Sequence, residues 1–413
     1  MKKVVIVSGI QIIDNPRVVK EATALSDLGF NVEVLGAIYN KGSKDRTERI
    51  LKTVSWQHFP VIDLTDNRLF RKFYFFLSRL RLKIFYRFKQ WFNYESPEQL
   101  GYFTKRLFKL ANDRNADLYI VHLEQALWVG RELIKSGHKV AIDVEDWYSE
   151  DGLPADRALK PEKLMKACES YLLNNSVYST TTSIALSIAL KDAYRCPLPT
   201  VVYNSFPSNE REFIDGKILD RKNTSIPSIV WFSQTIGPGR GLEQLITALN
   251  EIDCQFELHI RGDDRREFSR ILYEKASSKY ADRIYFHSQV PQDELLSRLS
   301  EHDIGFCGDL SDCKSRNATI TNKILEYLRA GLAVIASDTE GHKEVKQFAG
   351  NAITIYEQRN ASSLVKNLEL LLKDSATLEK RKILAIESLN TNISWEKSSE
   401  SLKLKVKSCL IDN

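Results

Sequence analysis

At 413 residues, 43% of them hydrophobic and 27% charged, the chain is too long for one ordinary core and too apolar for disorder, so two globular domains are expected. The net charge of +5 is too small to imply a nucleic-acid partner, and no apolar run approaches the roughly 20 residues of a membrane-crossing helix. Six cysteines without CxxC spacing argue against a zinc site or a disulfide framework, and the short Met1 to Val7 start does not suit a signal peptide, so a cytoplasmic location is expected.

The first apolar run, VVIVSG (4–9), leads into a helix whose expected cap is Asp14 or Asn15, followed by Pro16 and the stripe Val18, Val19, Ala22 and Leu25. Gly9 allows close backbone approach, and Arg17 with the helix N-terminus offers positive charge to an anion. A turn glycine and a solvated arginine explain the same residues equally well. Further β-branched runs follow at 31–37, 117–122, 139–146, 177–183 and 201–205, with helical stretches between them.

One intervening stretch, NRLFRKFYFFLSRLRLKIFYRFKQWFNY (67–94), contains no acidic residue. Arg68, Arg71, Lys72, Arg79, Arg81, Lys83, Arg87 and Lys89 interleave there with Phe70, Phe73, Leu77, Leu80, Ile84, Phe88 and Trp91 at helical spacing. The pattern predicts an interfacial helix for an anionic membrane surface; a pair of helices packed on the sheet with solvated arginines is the plainer alternative.

The polar segment 206–228 reads as a linker, and a second series of runs begins after it, at 228–234, 256–262, 283–288, 304–308, 333–337 and 352–356. Buried strands alternating with helices predict an α/β chain of two doubly wound parallel sheets, presenting their strand ends to a shared cleft. In SQTIGPGRGLEQL (233–245), Gly237, Gly239 and Gly241 permit close backbone approach and Arg240 supplies a permanently charged fork. Arg261 and Asp263-Asp264 follow a strand; the paired acids alone do not make a metal site.

The segments DNPRVVKEATALSDLGFNVEVL, AIDVEDWYSED, GPGRGLEQLITAL, VPQDELLSRLSEHDIGF and NKILEYLRAGLAVIASD together resemble the GT-B glycosyltransferases of the retaining family 4 group. The resemblance implies two Rossmann-like domains, 1–205 completed by 396–413 and 206–395, with Trp395 preceding a last helix that crosses back to the first domain. It implies retaining transfer from a nucleoside-diphosphate sugar, held mainly by the second domain, to a glycan or lipid-linked acceptor held by the first, without a metal or other cofactor. Polysaccharide or glycoconjugate assembly is the setting such enzymes share. Glu326 then corresponds to the second acid of the EX7E motif and holds the donor ribose. Asn322 is expected to cap that helix, with Lys323 sharing the diphosphate charge with Arg240, and the first acid is expected at Thr319, where no carboxylate stands. Gly9, Gly237 and Gly239 complete the donor set. His122, at a strand end, is expected near the reaction centre, and Glu145 replaces a histidine of the family's DxHE pattern as a candidate base. Gln234 stands where a second basic residue is common. These departures keep an inactive nucleotide-sugar-binding subunit open as another reading, and a same-fold epimerase is a rival enzyme.

Overall fold

The β-branched runs of the first half pair with one another in parallel, in a seven-stranded sheet of order β3-β2-β1-β4-β5-β6-β7. Its strands are β1 (Lys3–Val7), β2 (Asn31–Ile38), β3 (Gln57–Asp63), β4 (Leu118–His122), β5 (Val140–Val144), β6 (Ser179–Thr181) and β7 (Thr200–Val201). Val4 to Val7 and Leu118 to Val121 are buried on both faces, as parallel strands covered by helices must be. The structure, a computed structural model, describes residues 1–65, 69–152, 154–264, 267–389 and 393–410.

The second half forms its own parallel sheet of order β10-β9-β8-β11-β12-β13. Its strands are β8 (Ser228–Thr235), β9 (Glu257–Asp263), β10 (Ile284–His287), β11 (Ile304–Cys307), β12 (Ala333–Ser337) and β13 (Ile353–Tyr356). Both sheets reverse direction of growth beside their first strand, at β1/β4 and at β8/β11. Such switch points open a crevice beyond the C-terminal strand ends, where ligands of doubly wound sheets bind.

The chain divides into one unit of Met1–Val202 with Ser399–Asn413 and a second of Tyr203–Ser398, against expected boundaries at 205/206 and 395/396. The helix Trp395–Leu410 carries the chain from the second unit into the first.

Segment 206–228 is not a free linker. Arg221 pairs with Glu257 at 3.1 Å and Asp303 at 2.9 Å, Asp220 pairs with Arg261, and the Asn223 N–H donates to Glu257 at 2.7 Å. The segment is a charged strap along the second sheet. Arg261 is therefore buried in that pairing, and Asp264 accepts from the Phe268 N–H at 2.7 Å at the start of the helix Phe268–Lys275.

The basic stretch forms one continuous helix, Leu69–Phe92, rather than a pair. Asn67 and Arg68, and the side chain of Phe70, lie outside the described residues. Among the described residues, no helix is long and apolar enough to cross a membrane.

Candidate functional site

In the second unit, the loop after β8 meets the loop after β11 at the switch point. A Cβ on Gly241 would lie 2.3 Å from the Gly308 carbonyl oxygen, and Gly241 has φ +76, so only glycine lets the two loops close. Gly241 precedes the helix Leu242–Asn250 as its N-cap, and among the described residues the first N–H groups of that helix receive no side-chain cap. That leaves a positive helix end facing the crevice. Arg316 donates to the Gly239 carbonyl at 3.1 Å and fixes the loop, while Gly237 borders open space. Arg240 is half-buried and donates to Ser233 Oγ at 3.0 Å.

The helix Asn322–Ala330 starts at the same place. It is seated by Tyr327, whose ring fills the space a Cβ on Gly305 would need and whose hydroxyl donates to the Phe306 carbonyl at 3.3 Å. Thr321, not Asn322, is its N-cap; Asn322 is exposed at the first helical position and accepts from Asn204 at 3.1 Å. Lys323 is buried and pairs with Asp309 at 3.0 Å. Burial alone would raise the Asp309 carboxyl, but Lys323, with His342 and Arg240 nearby, holds it below the usual range. Asp309 follows the end of β11, so its position after a strand was the signal that sequence reading passed over.

Glu326 lies in the second turn of its helix, beyond the reach of the helix N-terminus. Its buried carboxylate pairs with Arg329, which also pairs with Glu210, and accepts from Gln292 Nε2 at 3.3 Å. Counted with seven intervening residues, the first EX7E position falls on Ala318 rather than Thr319, and neither carries a carboxylate. Beside this loop, beyond the C-terminal ends of β9 and β10, lies a cavity of about 430 Å³ bordered by Ile236, Gly262, Asp263, Phe286, His287 and Gln289.

In the first unit, the strand ends carry a buried charge cluster. Arg17 forks onto Asp143 with bonds of 2.6 and 3.0 Å and donates its third arm to the Val202 carbonyl at 2.8 Å. It is therefore spent inside the protein and does not serve an outside anion. His122 has Glu21 at 2.9 Å on Nε2 and Glu145 at 3.1 Å on Nδ1, with Asp143 at 3.7 Å. Its ring is fully buried between the two carboxylates, and His122 positions Glu145. Asn15 caps the helix Pro16–Asp27 and donates to Glu145 Oε1 at 2.8 Å. Glu145 alone among the cluster's acids keeps some solvent exposure, 13% of its side chain. Glu21, one turn beyond Arg17 on the same helix face, was missed by sequence reading; its i,i+4 spacing from Arg17 was the available signal.

Gly9 has φ +76, and the space for a Cβ is filled by Gln125 Oε1 and Leu107 Cδ2, each 2.8 Å away. Its N–H donates to the Leu35 carbonyl at 3.1 Å, so the close approach it permits is to the protein itself and not to a donor. Glu21, His122 and Asp143 offer ligand atoms within 4.8 Å of one another, a spacing that would suit a cation. The imidazolium and the Arg17 guanidinium already answer those carboxylates.

Burial alone would lower the His122 pKa, but Glu21, Glu145 and Asp143 outweigh it and raise it to about 10. In the unfolded chain the value is about 6.5. Both states are protonated below about pH 6.5, so the stabilisation from this group is complete there and is lost as pH rises towards about 10. Urea midpoints measured from pH 6 to 10 should fall across that window in the native chain, and His122→Gln should remove that part of the slope.

Two parallel-sheet Rossmann-like domains in one chain, the second with a cationic glycine loop at its switch point, define a protein of the GT-B fold. Residues 218–388 match the family model "Glycosyl transferases group 1", which supports a glycosyltransferase. The fold is similar to that of sucrose-phosphate synthase from Thermosynechococcus elongatus, with TM-score 0.71, 14% identity and 100% of each chain covered. It is also similar to HepE from Anabaena in complex with UDP, with TM-score 0.67, 14% identity and 99% of this chain and 100% of that one covered. A putative UDP-N-acetylglucosamine 2-epimerase from Listeria monocytogenes is similar at TM-score 0.61 and 12% identity, over 100% of this chain and 97% of that one. No curated protein matches the sequence significantly.

Proposed function

We propose that the chain is a retaining glycosyltransferase that moves a sugar from a nucleoside-diphosphate donor to a glycan or lipid-linked acceptor. The observation that carries this reading is the convergence of Arg240 and the uncapped helix start at Leu242 on one switch point, beside the buried Lys323–Asp309 pair. A diphosphate leaving group gathers negative charge as the glycosidic bond breaks, and preorganised donors aimed at it are the strongest single aid to such a step. The nucleoside occupies the cavity beside Phe286 and Gln289, and UDP, the nucleotide bound by the similar HepE, is the first candidate. With Arg240 meeting the diphosphate charge in this reading, the reaction is expected to run without a metal. Glu145 is the acceptor-side carboxylate, held by Asn15 and His122. The departing phosphate, rather than a dedicated base, takes the acceptor proton on the same face of the sugar.

A thermal-shift panel of UDP, GDP, ADP and dTDP sugars tests the donor half of this reading. At least one nucleotide sugar should raise the melting temperature in a concentration-dependent way, since a ligand bound only by the folded state stabilises it. No shift with any of them would remove it.

Glu326 is the proposed ribose clamp. Alanine there would leave the buried Arg329 dependent on Glu210 alone, so the informative change is Glu326→Gln, which keeps the shape and the Gln292 contact. Loss of a charge-assisted bond to a ribose hydroxyl is expected to weaken donor binding roughly tenfold. Calorimetric titration of the responding nucleotide sugar checks this; unchanged affinity would assign Glu326 to packing only.

A further inference from the structure

We infer that the helix Leu69–Phe92 is a docking surface for an anionic lipid bilayer. Its inner side is committed to the fold: Tyr74 stacks on Phe103 with ring centres 5.8 Å apart, Phe75 meets Tyr102 edge-on at 5.3 Å, and Ser78 is buried. Both ends are pinned, by Arg71 donating to the Asp63 carbonyl at 3.1 Å and Lys89 to the Ala158 carbonyl at 3.1 Å. The outer side is therefore fixed in direction, and it is apolar. Phe73, Phe76, Leu80, Ile84 and Trp91 recur there at three-, four- and seven-residue spacing, with Phe76 61% and Trp91 69% exposed.

Five further positions, Lys72, Arg79, Arg81, Lys83 and Arg87, are exposed cations, and the helix carries no carboxylate. A run of exposed aromatics is costly in water unless it is covered by something. The charge pattern selects the cover. Lysine and arginine stems lie along apolar surface while their charged ends reach outward, which suits lipid headgroups around an apolar stripe. Trp91, Phe92 and Tyr94 at the C-terminal end, all exposed, place large rings at one edge of the stripe, as at a headgroup boundary. Since no described helix crosses a membrane, the helix lies along the surface. Nothing in this inference depends on glycosyl transfer, and a donor-binding failure would leave it standing.

Co-sedimentation of the full chain with phosphatidylcholine vesicles, with and without phosphatidylglycerol, tests it. The chain should pellet with the anionic vesicles, less in high salt, and stay soluble with the neutral ones. Phe76→Asp combined with Trp91→Ser should lower the bound fraction at least tenfold with an unchanged circular dichroism spectrum, because both side chains are exposed. Lys72→Glu with Lys83→Glu should do the same by charge alone. Absence of pelleting with anionic vesicles overturns the inference. So does a chain that self-associates in light scattering through this face, with the association lost in Phe76→Asp; the cover would then be a second copy.

Discussion

Replacing Arg240 with alanine is expected to lower the rate of sugar transfer by about 10²–10³-fold, the usual consequence of removing one preorganised donor from a site of developing negative charge. The melting temperature should hardly change. Arg240 is half-buried, its one side-chain hydrogen bond among the described residues goes to the nearby Ser233 hydroxyl, and the buried Asp309 beside it keeps its pairing with Lys323 when Arg240 is gone. Arg240→Lys should restore only part of the rate, since an ammonium keeps the charge but not the planar fork that spans two phosphate oxygens. Single-turnover rates with the donor saturating separate this from a binding defect. A fully active alanine variant would place the leaving-group charge elsewhere in the crevice, with Lys323 the next residue to test.

The second large effect belongs to the first unit. Asp143→Asn is expected to destabilise the fold by about 3–5 kcal/mol, because it leaves the buried Arg17 guanidinium without its carboxylate and removes one of the negative charges facing His122. Burial alone would raise the Asp143 carboxyl, but Arg17 and His122 hold it below the usual range, so it is ionised throughout the neutral range. The double variant Arg17→Met with Asp143→Leu separates the cost of an orphaned charge from the worth of the pair. Removing the pair together exchanges two buried charges for apolar volume and should cost less than Asp143→Asn alone. Urea midpoints at constant slope measure both. A double variant less stable than the single one would mean that the Arg17 bond to the Val202 carbonyl, which ties the helix to the last strand, dominates.

Local pattern carried far into this fold. Runs such as VVIVSG and AVIAS announce buried strands through composition alone, and Gly331, at φ +83, ends its helix as an L residue would resist doing. The glycines and Arg240 of the loop after β8 were legible for the same reason: their backbone and charge requirements are local. What escaped was set by partners far along the chain. Arg17 looks like a surface cation until Asp143, 126 residues away, reaches it through the pairing of β1, β4 and β5. Segment 206–228 has the composition of a linker, yet Glu257 and Asp303 bind its Arg221 to the second sheet. His122 was rightly placed at a strand end, but its two carboxylate neighbours come from a helix and from the end of another strand, so its burial and charge had no sequence signal. Glu326 belongs to the same class, since Arg329 and Gln292 decide its surroundings.

Product analysis with a binding nucleotide sugar tests the central claim most directly. Incubated with the chain and an acceptor panel, the donor should release nucleoside diphosphate, and nuclear magnetic resonance should find its sugar on the acceptor with the anomeric configuration it had in the donor. An epimerised sugar appearing without acceptor, or donor binding with no transfer to any acceptor, would contradict the account.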